Sequence, residues 1–338
     1  MKIIAVEDAI GSVLAHDLTK IVPDGFKGAA FKKGQIIKAE DIDSLKNMGK
    51  YHINVLEIDE NTLHENDAAL RMAKAFAGEG LYLEGPTEGK MSLRALHRGI
   101  LNIDLDLLGQ INSIDGVMLS TLHRKTLVEP DQHVAGTRII PLTIEKKVIE
   151  DIEELCKTKS LINISPLMPL KIGVVVTGSE VFEKRIEDKF GPVIVNKIAS
   201  FKGNLLGVKY APDDKEEIKN RIEEFKNMGA QLIMAAGGMS VDADDVTPQA
   251  ITESSDIVVS YGSPVLPGAM FMLAYSGDVS ILGVPACSMF HKITVLDLVL
   301  PRIMAGEKIS RMDLAMLGHG GLCLHCDVCR YPVCPFGK

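Results

Sequence analysis

Tryptophan is absent from this 338-residue chain, and only ten phenylalanines and six tyrosines stand beside fifteen methionines. Its interior must therefore rest on aliphatic side chains, with Met filling irregular gaps. No apolar run reaches the roughly 18 uninterrupted residues of a membrane helix, because Asp278 breaks the most apolar stretch, residues 270–286. Glu7 and Asp8 stand where a secretory signal would carry its apolar core. We therefore expect a soluble, cytoplasmic protein without a membrane partner.

Positive charge is also scarce. The chain has 37 Lys and Arg against 45 Asp and Glu, a formal net charge of -8. Binding to a nucleic-acid backbone requires an excess of basic side chains, so we expect no nucleic-acid partner. Six cysteines are too few for a disulfide framework in a chain of this length. Four of them lie close together at the C-terminus, which calls for a chemical explanation of their own.

Turn residues divide the first half of the chain into two predicted lobes. Residues 1–60 form a small α+β unit, in which a short helix stops at Gly49 and a strand covers residues 52–58. Residues 61–165 form a second lobe that contains strands. There, GTRIIPLTI predicts a strand pair, and the acidic segment EKKVIEDIEEL predicts a helix behind it.

The pattern changes in residues 166–310. The β-branched run IGVVVTG and the later QLIMAAGG both predict buried strands that end in glycine. Between them, DDKEEIKNRIEEFKNMG predicts an amphipathic helix with Ile218, Ile222 and Phe225 on one face. Strands that alternate with helices of this length favour a parallel sheet covered on both faces. We predict an α/β fold: a three-layer, doubly wound, mostly parallel sheet preceded by smaller α+β and β-rich lobes.

Two glycine-containing loops follow these strands. The first consists of Thr177, Gly178, Ser179 and Glu180, and the second of Gly237, Gly238, Met239 and Ser240. Ligands of open parallel sheets bind beyond the carboxyl ends of the strands, where glycine lets backbone amides approach a phosphate. The alternative is that the glycines only form tight turns. Neither GxGxxG nor GxxxxGK[ST] occurs, so dinucleotide and P-loop sites lose their main support.

The second loop leads into an acidic stretch, Asp242-Ala243-Asp244-Asp245. One or two of these carboxylates would suffice to hold a Mg²⁺ that also binds substrate oxygens. The alternative is structural, because acidic side chains stabilise a helix N-terminus, and Thr247 before Pro248 has the form of a helix N-cap. We assign Thr247 and Pro248 to structure and Asp245 to function.

Four motifs occur in a fixed order: VVVTGSE, AAGGMSVDADDVTPQAI, PVLPGAMF and ILGVPACSM. Together they resemble the molybdopterin-binding domain of molybdenum-cofactor biosynthesis proteins, over about residues 170–306. The GGMSVDADDVTP segment is similar to the loop of the molybdopterin adenylyltransferases. TGSE and LGVPACS are more similar to motifs of the molybdopterin molybdenumtransferases. Those transferases usually carry an acid at the position of Ser179.

The resemblance implies a function and a set of site residues. The ligand would be molybdopterin or its adenylate, with Mg²⁺ at Asp245, and the chemistry would be molybdate insertion with Asp245 and Glu180 as catalytic residues. The implied ligand-binding residues are Thr177, Gly178, Ser179, Glu180, Asn196, Gly237, Gly238, Met239, Ser240, Asp245, Pro285 and Ser288. A non-catalytic molybdopterin carrier or chaperone for a molybdoenzyme is the alternative. The family also implies a homodimer.

Residues 311–338 form a predicted metal-binding tail. Cys323, Cys326, Cys329 and Cys334 follow the pattern C-x₂-C-x₂-C-x₄-C-P. Bacterial ferredoxins use C-x₂-C-x₂-C-x₃-C-P, which differs by one residue. Four thiolates also suit a closed zinc site, although zinc sites normally separate two C-x₂-C pairs by a longer loop. The sequence predicts an iron–sulfur cluster or zinc in this tail.

Overall fold

A computed structural model of the chain describes residues 2–21, 27–55, 61–242 and 244–338. The chain divides into two compact units. The first unit consists of Met1–Leu96, Ile103–Leu122 and Pro130–Ile164. The second consists of His97–Asn102, His123–Glu129 and Ser165–Lys338. The predicted boundary at residue 60 lies outside the described residues, and the boundaries at 165 and 310 stay predictions.

The first unit begins with two antiparallel strand pairs around an apolar core. Its elements here are β1 (Lys2–Ala5), a 3-10 helix (Val6–Ala9), β2 (Leu18–Ile21), β3 (Lys27–Phe31), α1 (Asp41–Asn47) and β4 (His52–Val55). β1 pairs with β4, and β2 pairs with β3. Leu14, Leu45 and Ile53 are buried in this core. The predicted helix before Gly49 is α1, and the predicted strand is β4, although its last three predicted residues lie outside the described ones.

The middle of the chain supplies most of the remaining strands. Its elements are β5 (Thr62–His64), α2 (Glu65–Phe76), β6 (Leu81–Thr87), β7 (Lys90–Ala95), β8 (Gly99–Ile103), α3 (Leu105–Asn112), β9 (Val117–Thr121), β10 (Leu127–Val128), β11 (His133–Ile139), β12 (Thr143–Glu145), α4 (Lys146–Cys156) and β13 (Ile162–Pro166). In the first unit, four strands form a sheet in the order β6-β7-β11-β9.

The segment GTRIIPLTI forms two strands, as predicted, but their predicted pairing is wrong. β11 pairs with β7 and β9, whereas β12 pairs with β5. Only three residues separate the two strands, and they carry the chain from one sheet to another. The predicted acidic helix is α4, whose Glu153 accepts two hydrogen bonds from Arg71 of α2, at 2.7 and 2.6 Å.

The second unit is built on a six-stranded sheet. Its elements are β14 (Lys171–Thr177), α5 (Ser179–Phe182), α6 (Phe190–Ser200), β15 (Asn204–Ala211), α7 (Lys215–Asn227), β16 (Leu232–Ala236), α8 (Thr247–Glu253), β17 (Ile257–Tyr261), β18 (Met272–Ser276), β19 (Val279–Val284), a 3-10 helix (Ala286–Met289), α9 (Val295–Met304) and α10 (Arg311–Met316). The strand order is β15-β14-β16-β19-β18-β17. The first four strands are parallel, and the last two are antiparallel.

Helices cover both faces of this sheet. On one face, Val174 and Val176 pack with residues of α6 and α9. On the other, Val175 packs with residues of α7 and α8. Gly173 permits close packing, because a Cβ atom there would lie 2.4 Å from the Phe225 ring of α7. The predicted three-layer, mostly parallel α/β fold is confirmed.

Local sequence explains where the covering helices begin. Asp214 caps α7, since its carboxylate accepts a hydrogen bond from the Glu217 amide at 2.9 Å. Thr294 begins α9 with a capping box that Asp297 completes. No helix in the described part of the chain combines the length and the apolar composition that a membrane span needs.

Candidate functional site

The second unit contains a cleft at the carboxyl ends of β16 and β19, with a volume of about 460 Å³. It is lined by Gly237, Gly238, Met239, Ser240, Asp245, Leu266, Pro267, Gly268, Ala269, Met270, Pro285, Ala286 and Cys287. β14 and β16 are neighbours, yet the helices that follow them pack on opposite faces of the sheet. Open α/β sheets bind ligands at the point where the connections from two neighbouring strands leave to opposite faces of the sheet.

The loop after β16 forms one wall of the cleft. Its glycines adopt left-handed backbone conformations, with φ values of +106° at Gly237 and +54° at Gly238. A Cβ atom at Gly237 would lie 2.3 Å from the Thr177 carbonyl oxygen. This position therefore admits only glycine. The neighbouring Met239 is buried against β19, and it anchors the loop to the sheet.

The backbone amides of this loop are available to a ligand. Within the described residues, no hydrogen bond uses the amide of Gly237, Gly238 or Met239. The Ser240 amide is different, because it donates to Asp245 Oδ2 at 2.9 Å. Successive free amides in a glycine turn form a concave site for an anion such as a phosphate.

Asp245 supplies the only charged side chain among the residues that line the cleft in the described part of the chain. It is half-buried, and its own amide donates to the Asp242 carbonyl oxygen at 3.0 Å. The hydrogen bond from Ser240 leaves Oδ1 for another partner. Asp242 and Asp244 are exposed and do not line the cleft. The predicted choice of Asp245 among these three acids is therefore supported by its position.

Thr247 is not the helix cap that its sequence predicts. The N-cap of α8 is Val246, without a side-chain hydrogen bond, and Thr247 is the first helical residue. The Thr247 hydroxyl is fully buried and lies 3.1 Å from the hydroxyl of Thr177. Thr177 also donates to the Ala236 carbonyl oxygen at 3.3 Å. The Thr247 hydroxyl therefore makes a tertiary contact and does not cap its own helix. This contact joins the end of β14 to α8 beneath the cleft.

Two further ionisable groups are Tyr261, which contacts the glycine loop, and Cys287, which lines the cleft. The Tyr261 hydroxyl donates to the carbonyl oxygens of Met239 and Ser240, at 3.0 and 3.1 Å. Burial raises the pKa of Tyr261, and the charge of Asp245 adds to the effect. Burial also raises the pKa of the Cys287 thiol. A thiol with a raised pKa is a poor nucleophile.

The loop after β14 has a different arrangement. The Ser179 amide donates to Asp213 Oδ2 at 2.8 Å, and the Asp213 amide donates to Ser179 Oγ at 3.1 Å. The Gly178 amide donates to the Ala211 carbonyl oxygen at 3.2 Å. Glu180 is exposed at the start of α5. Two of the amides predicted to hold phosphate are thus engaged within the protein.

The structure brings together only part of the predicted site. Of the predicted residues, the second loop, Asp245 and Pro285 line the cleft, and Thr177 lies beneath it. The first loop, Asn196 and Ser288 do not line it. Asn196 is exposed on α6. Ser288 is buried, with its hydroxyl 3.5 Å from that of Thr294.

Residues 266–270 form a wall of the cleft that the predicted set of residues misses. Gly268 has a φ of +134°, and a Cβ atom there would lie 2.5 Å from the Val295 side chain. The Pro267 carbonyl oxygen accepts a hydrogen bond from the Val295 amide at 3.2 Å. The motif PVLPGAMF was the available signal, since it covers these residues. Ser179 and Asp213 had no such signal, because 34 residues separate them.

The tail cysteines lie at a second cavity of this unit. No three Cys, His, Asp or Glu side chains are arranged to hold a metal ion in the described ranges 2–21, 27–55, 61–242 and 244–338. The predicted Mg²⁺ and tail metal stay proposals.

Two parts of the chain match known families. Residues 173–305 match a family described as a probable molybdopterin binding domain. Residues 3–57 match a family described as a domain of unknown function (DUF8806). The CinA-like protein of Mycobacterium tuberculosis is 28% identical over 81 residues, which is 24% of this chain and 19% of that protein. The CinA-like protein of Mycobacterium avium is 30% identical over the same length. The chain thus spans about a fifth of these curated relatives.

Among solved structures, the molybdopterin biosynthesis enzyme MoaB of Thermus thermophilus is 20% identical, covering 41% of this chain and 98% of that one, with a TM-score of 0.36. The tungsten cofactor synthesizing protein MoaB of Pyrococcus furiosus is 21% identical, covering 42% of this chain and 97% of that one, also with a TM-score of 0.36. The match of residues 173–305 covers the sheet, the glycine loops and the cleft described above. This part of the chain is thus similar to the family described as a probable molybdopterin binding domain.

Proposed function

We propose that the cleft binds molybdopterin or its adenylate, with the phosphate held at residues 237–240. The observation that carries this proposal is the row of free amides at Gly237, Gly238 and Met239 beside the Asp245 carboxylate. A volume of about 460 Å³ also falls within the range of about 300–1,000 Å³ of small-molecule sites.

The walls of the cleft suit the remainder of such a ligand. Leu266, Pro267, Met270 and Pro285 provide apolar surface opposite the glycine loop. A flat pterin ring system would contact this surface, while the phosphate would lie on the amides. Small-molecule sites commonly combine apolar walls with a few placed polar groups.

Asp245 fits a Mg²⁺ that also binds the ligand. Mg²⁺ in phosphate sites is held by one or two carboxylates plus substrate oxygens, and Asp245 has one carboxylate oxygen available after the Ser240 amide is paired. A bound Mg²⁺ would neutralise charge on the phosphate oxygens. The role of this chain would be to orient those oxygens through Asp245 and the loop amides.

Molybdate insertion is the reaction that we propose for this site. Water would cleave the pyrophosphate bond of adenylylated molybdopterin, releasing AMP and molybdopterin, which keeps its own phosphate. The two dithiolene thiols would then bind molybdenum, and their two protons would leave with one oxygen of molybdate as water. Positioning and electrostatic stabilisation supply most of the catalysis in phosphoryl chemistry, and here Asp245 and the amides at 237–239 would provide both. Glu180, which is exposed outside the cleft lining, would need to act from its rim.

A carrier is the second candidate function. It is favoured by one observation: Glu180 does not line the cleft, and the amides of Gly178 and Ser179 are engaged within the protein. A carrier for a molybdoenzyme would need to bind the ligand and protect it, which the second loop alone can do. The homodimer, the molybdoenzyme client and the cytoplasmic location stay predictions.

Asp245→Asn tests the site. The Asn oxygen can still accept the Ser240 hydrogen bond, so the loop should keep its shape while the charge is lost. We expect affinity for molybdopterin in the presence of Mg²⁺ to fall about tenfold or more, as measured by calorimetry, because each tenfold change corresponds to about 1.4 kcal/mol. The matched control is Asp244→Asn, since Asp244 is exposed and does not line the cleft. Equal affinities of the two variants would contradict the proposal.

The same proteins separate insertion from carriage. Incubation with adenylylated molybdopterin, Mg²⁺ and molybdate should release AMP with the unaltered protein and not with Asp245→Asn. Tight binding without AMP release would support the carrier. Absence of both would overturn the assignment of the cleft.

A further inference from the structure

The C-terminal tail forms a loop that is attached to the second unit at both ends. At its start, the Leu266 amide donates to the Gly321 carbonyl oxygen and the Cys323 amide donates to the Leu266 carbonyl oxygen, each at 2.8 Å. At its end, Phe336 is only 3% exposed within the core of the unit. The Gly337 amide also donates to the Gly320 carbonyl oxygen at 2.9 Å. The loop between these attachments contains no helix or strand.

All four tail cysteines line one cavity of about 220 Å³. Cys323 and Cys334 are half-buried, and both pack against the apolar core of the unit. Cys326 and Cys329 are exposed. All four are free thiols. Cys323 and Cys334 are eleven residues apart, yet they line the same cavity. The loop has no helix or strand that would bring them together.

Basic and aromatic groups complete the cavity. Lys292 and Arg330 line it, and so do His291 and His325, whose rings lie 5.2 Å apart. Four thiolates and the group that they hold would carry negative charge. Cationic neighbours stabilise such charge. Tyr331 and Phe336, whose ring centroids lie 6.4 Å apart, close the inner side.

The spacing of the cysteines favours a cluster over a single zinc ion. A closed Zn²⁺ site normally takes two C-x₂-C pairs that a longer loop separates, whereas here Cys326 would be shared by two overlapping pairs. In the part of the chain that the structure describes, no three Cys, His, Asp or Glu side chains stand close enough together to hold a metal ion. The four cysteines that line the cavity would therefore move together when the group binds.

We propose that Cys323, Cys326, Cys329 and Cys334 bind a [4Fe–4S] cluster in this cavity. Four cysteine thiolates are the usual ligand set of such a cluster, and the C-x₂-C-x₂-C spacing is the one that bacterial ferredoxins use for it. The cluster supplies binding free energy to an otherwise irregular loop. The proposal is independent of the function proposed for the cleft. The two sites are nevertheless neighbours, because Leu266 lines the cleft and its backbone pairs with the start of the tail.

The test uses the full chain, purified without oxygen and reconstituted with ferric iron, sulfide and a thiol that reduces part of the iron to the ferrous state. We expect a brown protein with about four iron and four sulfide per chain, and a thiolate-to-iron absorption band that bleaches on reduction with dithionite. Cys326→Ser and Cys329→Ser, made separately, should each lower the iron content at least about tenfold. Both residues are exposed, so circular dichroism should show an unchanged fold.

Cys156→Ala is the matched control, since this cysteine is buried in α4 of the first unit and does not line the cavity. Its iron content should equal that of the unaltered protein. A colourless protein with about one zinc per chain would overturn the cluster in favour of a zinc site. Equal iron in Cys326→Ser and the control would show that iron is bound elsewhere or adventitiously, and protein without any metal would also overturn the proposal.

Discussion

Single residues at the cleft are constrained by backbone conformation and by contact together, and the second glycine of the loop illustrates both. Gly238 has a φ of +54°. A Cβ atom there would lie 2.8 Å from the Thr247 hydroxyl and 3.6 Å from Asp245 Oδ1. Any side chain at this position would therefore disturb the buried hydroxyl pair and approach the carboxylate that we assign to ligand binding.

Gly238→Ala and Gly277→Ala separate these two constraints. Gly277 has nearly the same φ, +55°, but open space around its would-be Cβ. Gly277→Ala should cost only the conformational penalty, about 1 kcal/mol. Gly238→Ala should cost about 1–3 kcal/mol more, because atoms around a packed site must shift. Urea unfolding of both variants measures the difference, and equal losses would show that the contact at Gly238 is unimportant.

At the scale of elements, a buried ion pair joins two helices that cover the same face of the central sheet. Lys197 of α6 donates to both carboxylate oxygens of Asp297 in α9, at 2.6 and 2.8 Å. The same carboxylate accepts the Thr294 amide at 2.7 Å and so completes the capping box of α9. One side chain therefore fixes both the start of α9 and its attachment to α6.

Asp297→Ala should be more destabilising than Lys197→Met. Removal of Asp297 leaves a buried ammonium group without its counter-ion, which costs about 3–5 kcal/mol, and the lost cap adds about 1 kcal/mol. Lys197→Met likewise leaves a buried carboxylate without its counter-ion, but that carboxylate keeps its hydrogen bonds to Thr294, so the loss should be smaller by about the 1 kcal/mol of the cap. Chemical unfolding followed by circular dichroism gives both values. A larger loss in Lys197→Met would mean that the unpaired carboxylate costs more than the unpaired ammonium group and the lost cap together.

At the scale of the whole molecule, the Glu307 carboxylate links parts of the chain that are far apart in sequence and lie together in the second unit. Glu307 accepts hydrogen bonds from Arg302, at 3.0 and 2.7 Å, and from Lys125 at 3.0 Å. Lys125 belongs to residues 123–129, which join this unit although their neighbours in sequence belong to the first. Burial alone would raise the pKa of the Glu307 carboxyl, but Arg302 and Lys125 outweigh burial and hold the pKa below its ordinary value.

This lowered pKa predicts a pH-dependent stability. A carboxyl whose folded pKa is depressed stabilises the protein above its unfolded pKa, about 4.3 for Glu, and loses that contribution as the pH falls through the folded pKa. Because Glu307 and Lys125 are partly exposed, solvent screens the pair, and Glu307→Gln should therefore cost about 1 kcal/mol near neutral pH. The difference between the two proteins should shrink as the pH falls below about 4. Denaturant unfolding at several pH values checks this, and a constant difference would contradict it.

The sequence by itself determined the elements of the central domain and the general position of its site. The β-branched run of β14 and the amphipathic pattern of α7 are local properties, so they predicted a buried strand and a covering helix without knowledge of their partners. The glycine loop and Asp245 followed directly from a predicted strand, and the carboxyl end of a strand in such a sheet is where ligands bind. The tail spacing predicted a shared role for its four cysteines for the same local reason.

Only the tertiary structure decided which groups meet. Ser179 pairs with Asp213, and the Thr247 hydroxyl pairs with that of Thr177. β11 and β12 lie in separate sheets. The local sequence around these residues does not indicate which partner each one has. Residues 266–270 became a wall of the cleft because Gly268 packs on Val295. Periodicity and capping depend on neighbours along the chain, whereas these contacts depend on long-range packing, where burial competes with local hydrogen bonding and decides the outcome.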